Sequence, residues 1–236
     1  LAYSLFMSFH NQEKIKLVNS VFNKVYENYD LMNDIMSFGV HRHWKKQLVS
    51  WMNPQLGNKI IDVASGTGDL AKVISKKNNN QNKIYCVEPN QGMLKTGKEK
   101  LKSHMNIKWY LFSAEKLPFK DSTFDFYTIS YGIRNVTDIN QCLKEAFRVL
   151  KPGGRFLCLE FSKVENEIFN FLYQNYSKLI PLFGKIVIGS SDPYKYLINS
   201  IDKFYNQYEL VELLKKNKFS DVKFRNLSNG ISAIHS

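Results

Sequence analysis

A chain of 236 residues with 44% hydrophobic and 23% charged side chains can bury one sizeable α/β core, which places it with globular rather than disordered proteins. Its 33 Lys and Arg against 21 Asp and Glu give a net charge of +12, a field that favours anionic partners. The excess is scattered lysine without an arginine–aromatic cluster, so a solvated basic surface is expected and a nucleic-acid partner is not.

The opening LAYSLFMSFHN has no basic n-region and no cleavage-like site, and it lacks the arginines of a transit peptide. Ile15, Val18, Val21, Phe22 and Val25 then recur at helical spacing. In YDLMNDIMSFGVHRHW, residues 29–44, one helical face holds Tyr29, Met32, Asn33 and Met36, and Ser37-Phe38-Gly39 breaks it. His41, Trp44, Leu48 and Met52 share a face of a second helix, which Asn53-Pro54 ends. Buried strands are predicted at Lys59–Val63, 83–88, 107–111, Phe124–Ser130 and 155–161. Helices are predicted at Asp69–Lys77, 92–101 and 139–150, the last closed by KPGG at 151–154. An aromatic-rich helix at 168–179 and another at 208–216 follow. VKFRNL and ISAIHS, joined by Ser228-Asn229-Gly230, read as a hairpin with a tight turn at positive φ.

No run approaches the ~18–20 apolar residues of a membrane span. The nearest, residues 179–189, is broken by Pro181 and Lys185. Cys86, Cys142 and Cys158 show no CxxC pairing and read as buried reduced thiols, two in strands and one in a helix, and no metal centre is expected. The alternation of strands and helices predicts an α/β fold: a doubly wound, Rossmann-like, seven-stranded and mostly parallel sheet with an antiparallel C-terminal hairpin strand. Residues 1–58 are expected to form an N-terminal helical lid on a domain of residues 59–236, with a single domain overall.

DVASGTGD, residues 62–69, follows a buried strand and opens a helix. Gly66 and Gly68 permit a tight turn and a close backbone approach, and the helix N-terminus offers N–H groups to a carboxylate. The third glycine of GxGxxG is replaced by Ala71, and no GK[ST] follows, which argues against a triphosphate site. Glu88 ends the second strand beside that loop, where a carboxylate can accept both hydroxyls of a ribose. Together they predict a nucleoside-containing ligand. The glycines alone leave a dinucleotide open.

DVASGTGD, Glu88, SAEKLPF at 113–119 and RVLKPGG at 148–154 resemble the motifs of class I S-adenosylmethionine-dependent methyltransferases. YDLMNDIMSFGVHRHW and ISYGIRNVTD at 129–138, with SNGISAIH near the C-terminus, are more specific. Through them the chain, from about residue 15 to its end, resembles the ubiquinone/menaquinone biosynthesis C-methyltransferase family. The resemblance implies S-adenosyl-L-methionine as cofactor, held at Gly66, Thr67 and Gly68, at Glu88, at Ser113 and Ala114 around the adenine, and at Ser130. Three positions depart from the family pattern: Ser65 for a usual glycine, Glu88 for aspartate, and Ser113 for Asp or Asn. They imply at most weaker cofactor binding.

The implied acceptor is a ring carbon of a polyprenylated benzoquinol or naphthoquinol, which becomes nucleophilic when a neighbouring hydroxyl loses its proton. Arg134 and Asn135 are implied beside the reacting groups. An arginine is a poor base, so an electrostatic role is expected for Arg134, against a structural salt bridge to Asp138. His41 is a candidate base, against a packing or capping role, and Tyr29 and Asp30 stand in the same position. Glu160 is a further candidate, with a buried ion pair as its alternative. Ile168, Phe171, Leu172, Tyr176, Leu179 and Pro181-Leu182-Phe183 form an apolar stripe that either covers the prenyl tail or packs in the core. Weak membrane-surface contact, a biosynthetic complex or homodimer, and a cytoplasmic location at the inner membrane face (or the mitochondrial matrix) are also expected. The competing expectations are a methyltransferase acting on RNA or a small polar metabolite, and a non-catalytic cofactor-binding component.

Overall fold

The computed structural model describes residues 12–14, 16–21, 23, 26, 31, 33, 34, 37, 39–167, 176 and 191–236. Tyr29, Asp30, Met32, Met36 and the stripe at 168–183, Tyr176 apart, lie outside the described residues, as do Ile15, Phe22 and Val25.

Helix α1, His41–Met52, turns Trp44, Leu48, Val49 and Met52 into the core and is stopped by Asn53 in the left-handed region at φ 48. The chain then alternates β1 (Lys59–Val63), α2 (Asp69–Lys77), β2 (Lys83–Val87), α3 (Gln91–Lys100), β3 (Ile107–Tyr110), β4 (Phe124–Ser130), α4 (Ile139–Val149) and β5 (Leu150–Phe161). It finishes with α5 (Asp192–Asp202), α6 (Gln207–Lys216), β6 (Phe224–Leu227) and β7 (Ser232–His235).

The strands form one sheet in the order β3-β2-β1-β4-β5-β7-β6. Neighbours among β1 to β5 pair in parallel, and β7 runs antiparallel between β5 and β6. The four inner residues of β1 are all buried, as a parallel strand covered on both faces requires. One apolar cluster joins α1 and α2 to the sheet through Leu48, Ile74 and Leu157; another joins α4 and α6 through Leu143, Phe156 and Leu214. From β1 the chain steps outward to β2 and β3, then returns to β4 on β1's other side. The crevice at the carboxyl ends of β1 and β4 is therefore the topological switch point, where ligands of this architecture bind.

The structure differs from the expectations at two places. KPGG does not simply close α4, because β5 already begins at Leu150. Phe124 pairs with Leu150 and Phe126 with Arg155, so KPGG bulges out of the ladder, with Gly153 at φ 76. The expected hairpin forms, and its turn is a 3-10 turn at Ser228–Gly230 with Ser228, Asn229 and Gly230 all at positive φ. Helix α5 was not anticipated, although Ser-Asp-Pro at its start is an N-terminal signal. The three cysteines are free and buried, in β2, α4 and β5.

Candidate active site

The loop between β1 and α2 is wound by three left-handed residues, Ala64 at φ 50, Gly66 at φ 56 and Gly68 at φ 83, while Ser65 stays outside that region. The Gly68 N–H closes the turn on the Ser65 carbonyl at 2.9 Å. A Cβ on Gly68 would meet Leu101 at 2.7 Å and Trp109 at 2.8 Å, so packing as well as φ demands glycine there. Tyr131, just past β4, is also left-handed at φ 56, and a Cβ on the next residue, Gly132, would lie 2.5 Å from the Ala64 Cβ. The loops after β1 and β4 thus touch, and both hold non-glycine residues in a sparsely populated conformation at the switch point.

Glu88, directly after β2, accepts the Gly66 N–H at 2.8 Å on Oε2 and the Asn90 N–H at 2.9 Å on Oε1. Burial pushes its carboxyl up to about 7 against those two bonds. Each oxygen keeps a second lone pair for a ribose hydroxyl. Asn90 in turn caps α3 through the Met93 N–H at 3.0 Å. Asp62 in β1 is 1% exposed and is likewise pushed up to about 7 by burial. Thr128 donates to its Oδ1 at 2.8 Å, whereas Oδ2, like the Ser130 hydroxyl, is buried with no partner among the described residues.

A small cavity at this point is lined by Asn33, Lys45, Asp62, Gly66, Thr67 and Ser130, among others. Lys45, from α1, is 6% exposed and reaches Asp69 Oδ2 at 3.4 Å, while Lys100 takes Oδ1 at 2.7 Å. Burial alone would raise the Asp69 carboxyl, but these two ammonium groups pull it below the usual range. The cavity thus has an ammonium and a helix N-terminus on one side and an unpartnered carboxylate oxygen on the other. That donor set fits an amino-acid zwitterion, with a nucleoside at Glu88.

Gly66, Thr67 and Ser130 meet in this cavity, and Glu88 is bonded to its loop. Ala114 is buried in the same apolar cluster as Val63 and Val87, the last residues of β1 and β2, whereas Ser113 is exposed on the turn after β3. Lys45 and the Oδ2 of Asp62 escaped the sequence reasoning. The available signal was a lysine on α1's buried face, three residues before Leu48.

Arg134 lies in a 3-10 turn, Ile133–Asn135, after β4. Its Nη1 meets Glu160 Oε1 at 2.5 Å and the Tyr131 carbonyl at 2.8 Å, and its guanidinium lies 5.6 Å from the Phe161 ring centre. The expected alternative partner, Asp138, instead caps α4 through the Gln141 N–H at 3.0 Å. Asn135 Oδ1 accepts the Tyr196 hydroxyl at 3.0 Å, and the Arg134 Nε–H reaches Ser200 Oγ at 3.4 Å, so α5 covers both residues. His41 is buried, with Nδ1 2.8 Å from the Ser37 hydroxyl, and burial, helped by Lys45, lowers it to about 4. A histidine so lowered is neutral at neutral pH and a weak base. A cleft of about 970 Å³ opens at the opposite sheet edge around the KPGG bulge, Trp51 and Ser236, away from all these groups.

The profile of the ubiE/COQ5 methyltransferase family matches residues 7–236. The chain belongs to the ubiE/COQ5 methyltransferase family. It is 49% identical over 231 residues to the ubiquinone/menaquinone biosynthesis C-methyltransferase UbiE of Rickettsia felis, covering 95% of this chain and 93% of that one. It is 41% identical over 263 residues to a mitochondrial 2-methoxy-6-polyprenyl-1,4-benzoquinol methylase of Dictyostelium discoideum, covering 98% and 84%. Its fold matches that of a SAM-dependent methyltransferase from Thermotoga maritima at a TM-score of 0.65, with 22% identity, covering 92% and 97%. Membership makes the protein a methyltransferase with S-adenosylmethionine as methyl donor, and the side chains that line the cavity near Glu88 suit that donor's amino-acid end. In this ubiE/COQ5 member the glycine loop and the YGIRN turn meet at one crevice.

Proposed function

We propose that this protein transfers a methyl group to a ring carbon of a polyprenylated benzoquinol or naphthoquinol. The observation that carries the proposal is 41–49% identity over nearly the whole chain to relatives named for that chemistry. A buried charged pair beside the cofactor crevice supports it. The bound cofactor supplies an electrophilic methyl on a sulfonium. Lys45 and the N-terminus of α2 would hold its carboxylate, Asp62 its ammonium, Glu88 the ribose hydroxyls, and Ser113 and Ala114 the adenine edge. Arg134 would stabilise negative charge on the quinol oxygen as it develops, and Asn135 would orient the ring.

The described N-terminal residues, Lys14 and Asn23 among them, act in this proposal as part of the lid expected over residues 1–58. Supporting contacts cross the carboxyl edge: Lys14 Nζ donates to the Val136 carbonyl at 2.6 Å, and Asn90 Nδ2 donates to Asn23 Oδ1 at 2.7 Å. Helix α1 is the lid's fixed anchor, since its apolar face belongs to the core. The net charge of +12 supports weak, salt-sensitive contact with an anionic membrane surface at the cytoplasmic or matrix face. Among the described residues no helix is long and apolar enough to cross a membrane.

The test is anaerobic turnover with methyl-labelled cofactor on demethylated benzoquinol and naphthoquinol, side by side. Label on a ring carbon of either acceptor is expected. Transfer to neither, with the cofactor bound, would refute the proposal.

A further inference from the structure

Glu160 is the penultimate residue of β5 and 1% exposed. Its two oxygens are treated differently. Oε1 receives the Arg134 guanidinium and its neighbour's backbone N–H, from Phe161 at 2.9 Å. Oε2 is buried and makes no bond among the described residues. A carboxylate buried only to brace a loop is expected to have both oxygens satisfied, because an unmet lone pair in the interior is costly. Arg134 itself cannot take a proton, since a guanidinium keeps its charge across the physiological range.

Position supports a chemical role. Ser130 pairs with Leu159, and the Tyr131 N–H bonds the Leu159 carbonyl at 2.8 Å. Glu160 therefore stands one residue past the end of β4, beside Ser130 and Tyr131, which line the cofactor cavity.

We propose that Glu160 is the proton acceptor of the reaction, taking the quinol hydroxyl proton on Oε2 while Arg134 holds Oε1. The proposal rests on the quinol reading above. The quinol O–H bond breaks as an O–H bond forms on Glu160. The electron pair left on the quinol oxygen delocalises to the neighbouring ring carbon, which forms the new C–C bond as the methyl leaves the sulfonium. The proton on that carbon then departs to solvent, the ring regains aromaticity, and Glu160 returns its proton to the oxygen. One methyl enters and one proton leaves. Arg134 thereby neutralises the carboxylate before the transfer and the phenolate after it.

Among the described residues, the groups around the Glu160–Arg134 pair are the Arg134 guanidinium and backbone N–H, Tyr131 after β4, Tyr196 and Ser200 from α5, Cys158 on the same strand, and Ser232 from β7, which donates to the Glu160 backbone carbonyl at 2.8 Å. Arg134 is the sole cation among them. Burial raises the Glu160 carboxyl in spite of Arg134, which makes it a better proton acceptor than an exposed glutamate. The carboxylate form is the active one, so the rate falls as pH drops through its titration.

The test compares the full-length protein with Glu160→Gln and Glu160→Asp in three measurements. Calorimetry with S-adenosylhomocysteine reads the cofactor site, and single-turnover methylation across pH reads the acid limb. Infrared difference spectroscopy with a short-tailed phenol as acceptor mimic, on ¹³C-glutamate-labelled wild type, reads carboxyl protonation. Glu160→Gln is expected to bind S-adenosylhomocysteine within about 2-fold of wild type, to lose roughly 10²–10⁴-fold in turnover, and to lose the acid limb. Glu160→Asp recovers part of the rate and keeps the limb. In the wild type a protonated-carboxyl band, shifted by the label, appears when the mimic binds. An unchanged acid limb in Glu160→Gln overturns the proposal, as does a parallel loss of cofactor binding and turnover. If Glu160→Gln fails to fold, the infrared experiment decides, and absence of the band overturns the proposal. A wild type that shows the band but methylates no quinol would refute the choice of acceptor and leave Glu160 as a proton acceptor for phenols.

Discussion

Asp62 and Glu88 are two carboxyls that burial raises to about 7 within one crevice, and the Glu88 charge adds to the cost of ionising Asp62. Between the unfolded value near 4 and the folded value, the native state binds the extra proton, so their contribution to stability falls as pH rises through that window. His41 and His235, both lowered to about 4 by burial, act in the opposite sense. Their stabilisation is present above the unfolded value near 6.5 and is lost as pH falls towards about 4. Asp62→Asn should therefore gain stability over the wild type, by about 2 kcal/mol, as pH rises from about 5 to about 8. Urea unfolding at the two pH values reads this, and a difference that does not change with pH would remove the assignment. Lys45→Met keeps the aliphatic stem on α1's buried face but removes the ammonium. It should weaken S-adenosylhomocysteine binding by roughly 10–100-fold and leave 5′-methylthioadenosine, which has no amino-acid end, within about 2-fold. Equal loss for both ligands would mean that Lys45 only packs.

Single elements depend on ends that the chain encodes locally. Asn206 accepts the Tyr208 and Glu209 N–H groups at the start of α6, while Glu209 accepts the Asn206 N–H at 2.7 Å, a complete capping box. Asn206→Ala should cost about 1 kcal/mol and lower Tm by about 2–4 °C in a chain of this size. Affinity for S-adenosylhomocysteine should not move, because α6 packs under the sheet, away from the crevice. A calorimetric scan with and without ligand checks both halves. Most strands and helices were legible to within a residue or two, because Lys59–Val63 and Phe124–Ser130 are rich in β-branched and aromatic residues and the helices repeat their apolar positions at helical spacing. The start of β5 was not, since KPGG carries a breaker signal while its flanks stay in the ladder. Helix α5 also went unread, although it supplies the Tyr196 and Ser200 contacts.

For the whole molecule, the question is where the lid ends and the core begins. The boundary at residue 58 suggested by the chain order would remove α1, whose Trp44, Leu48, Val49 and Met52 are all buried against the sheet. Trp44 also donates its indole N–H to Ser228 Oγ at 3.1 Å, tying α1 to the final hairpin. Losing four such side chains at ~1.5–3 kcal/mol each would exceed much of a typical domain's stability. A chain beginning at residue 41 should therefore fold cooperatively and lose turnover, whereas one beginning at residue 59 should not fold. Circular dichroism melts of the two truncations test the boundary, and a cooperative transition in the shorter one would restore it to residue 58.

What the amino-acid order specified was local. Apolar runs set the strands, glycines set the loop after β1, and an acidic residue stands at the end of β2. Each depends on a few adjacent residues obeying a short-range rule. Lys45's entry into the cavity after β1, the choice of Glu160 over Asp138 as Arg134's partner, and the oxygens of Asp62 and Glu160 left without a partner among the described residues were settled by the fold. They required β4 to return beside β1, β5 to lie next to it, and α1 to pack across them. Burial and charge pairing depend on which strands become neighbours, and crossover connections place residues 26 to 122 positions apart in contact. YDLMNDIMSFGVHRHW marks the chain's family, and among the described residues Asn33 within it and Lys45 just past its end line the crevice.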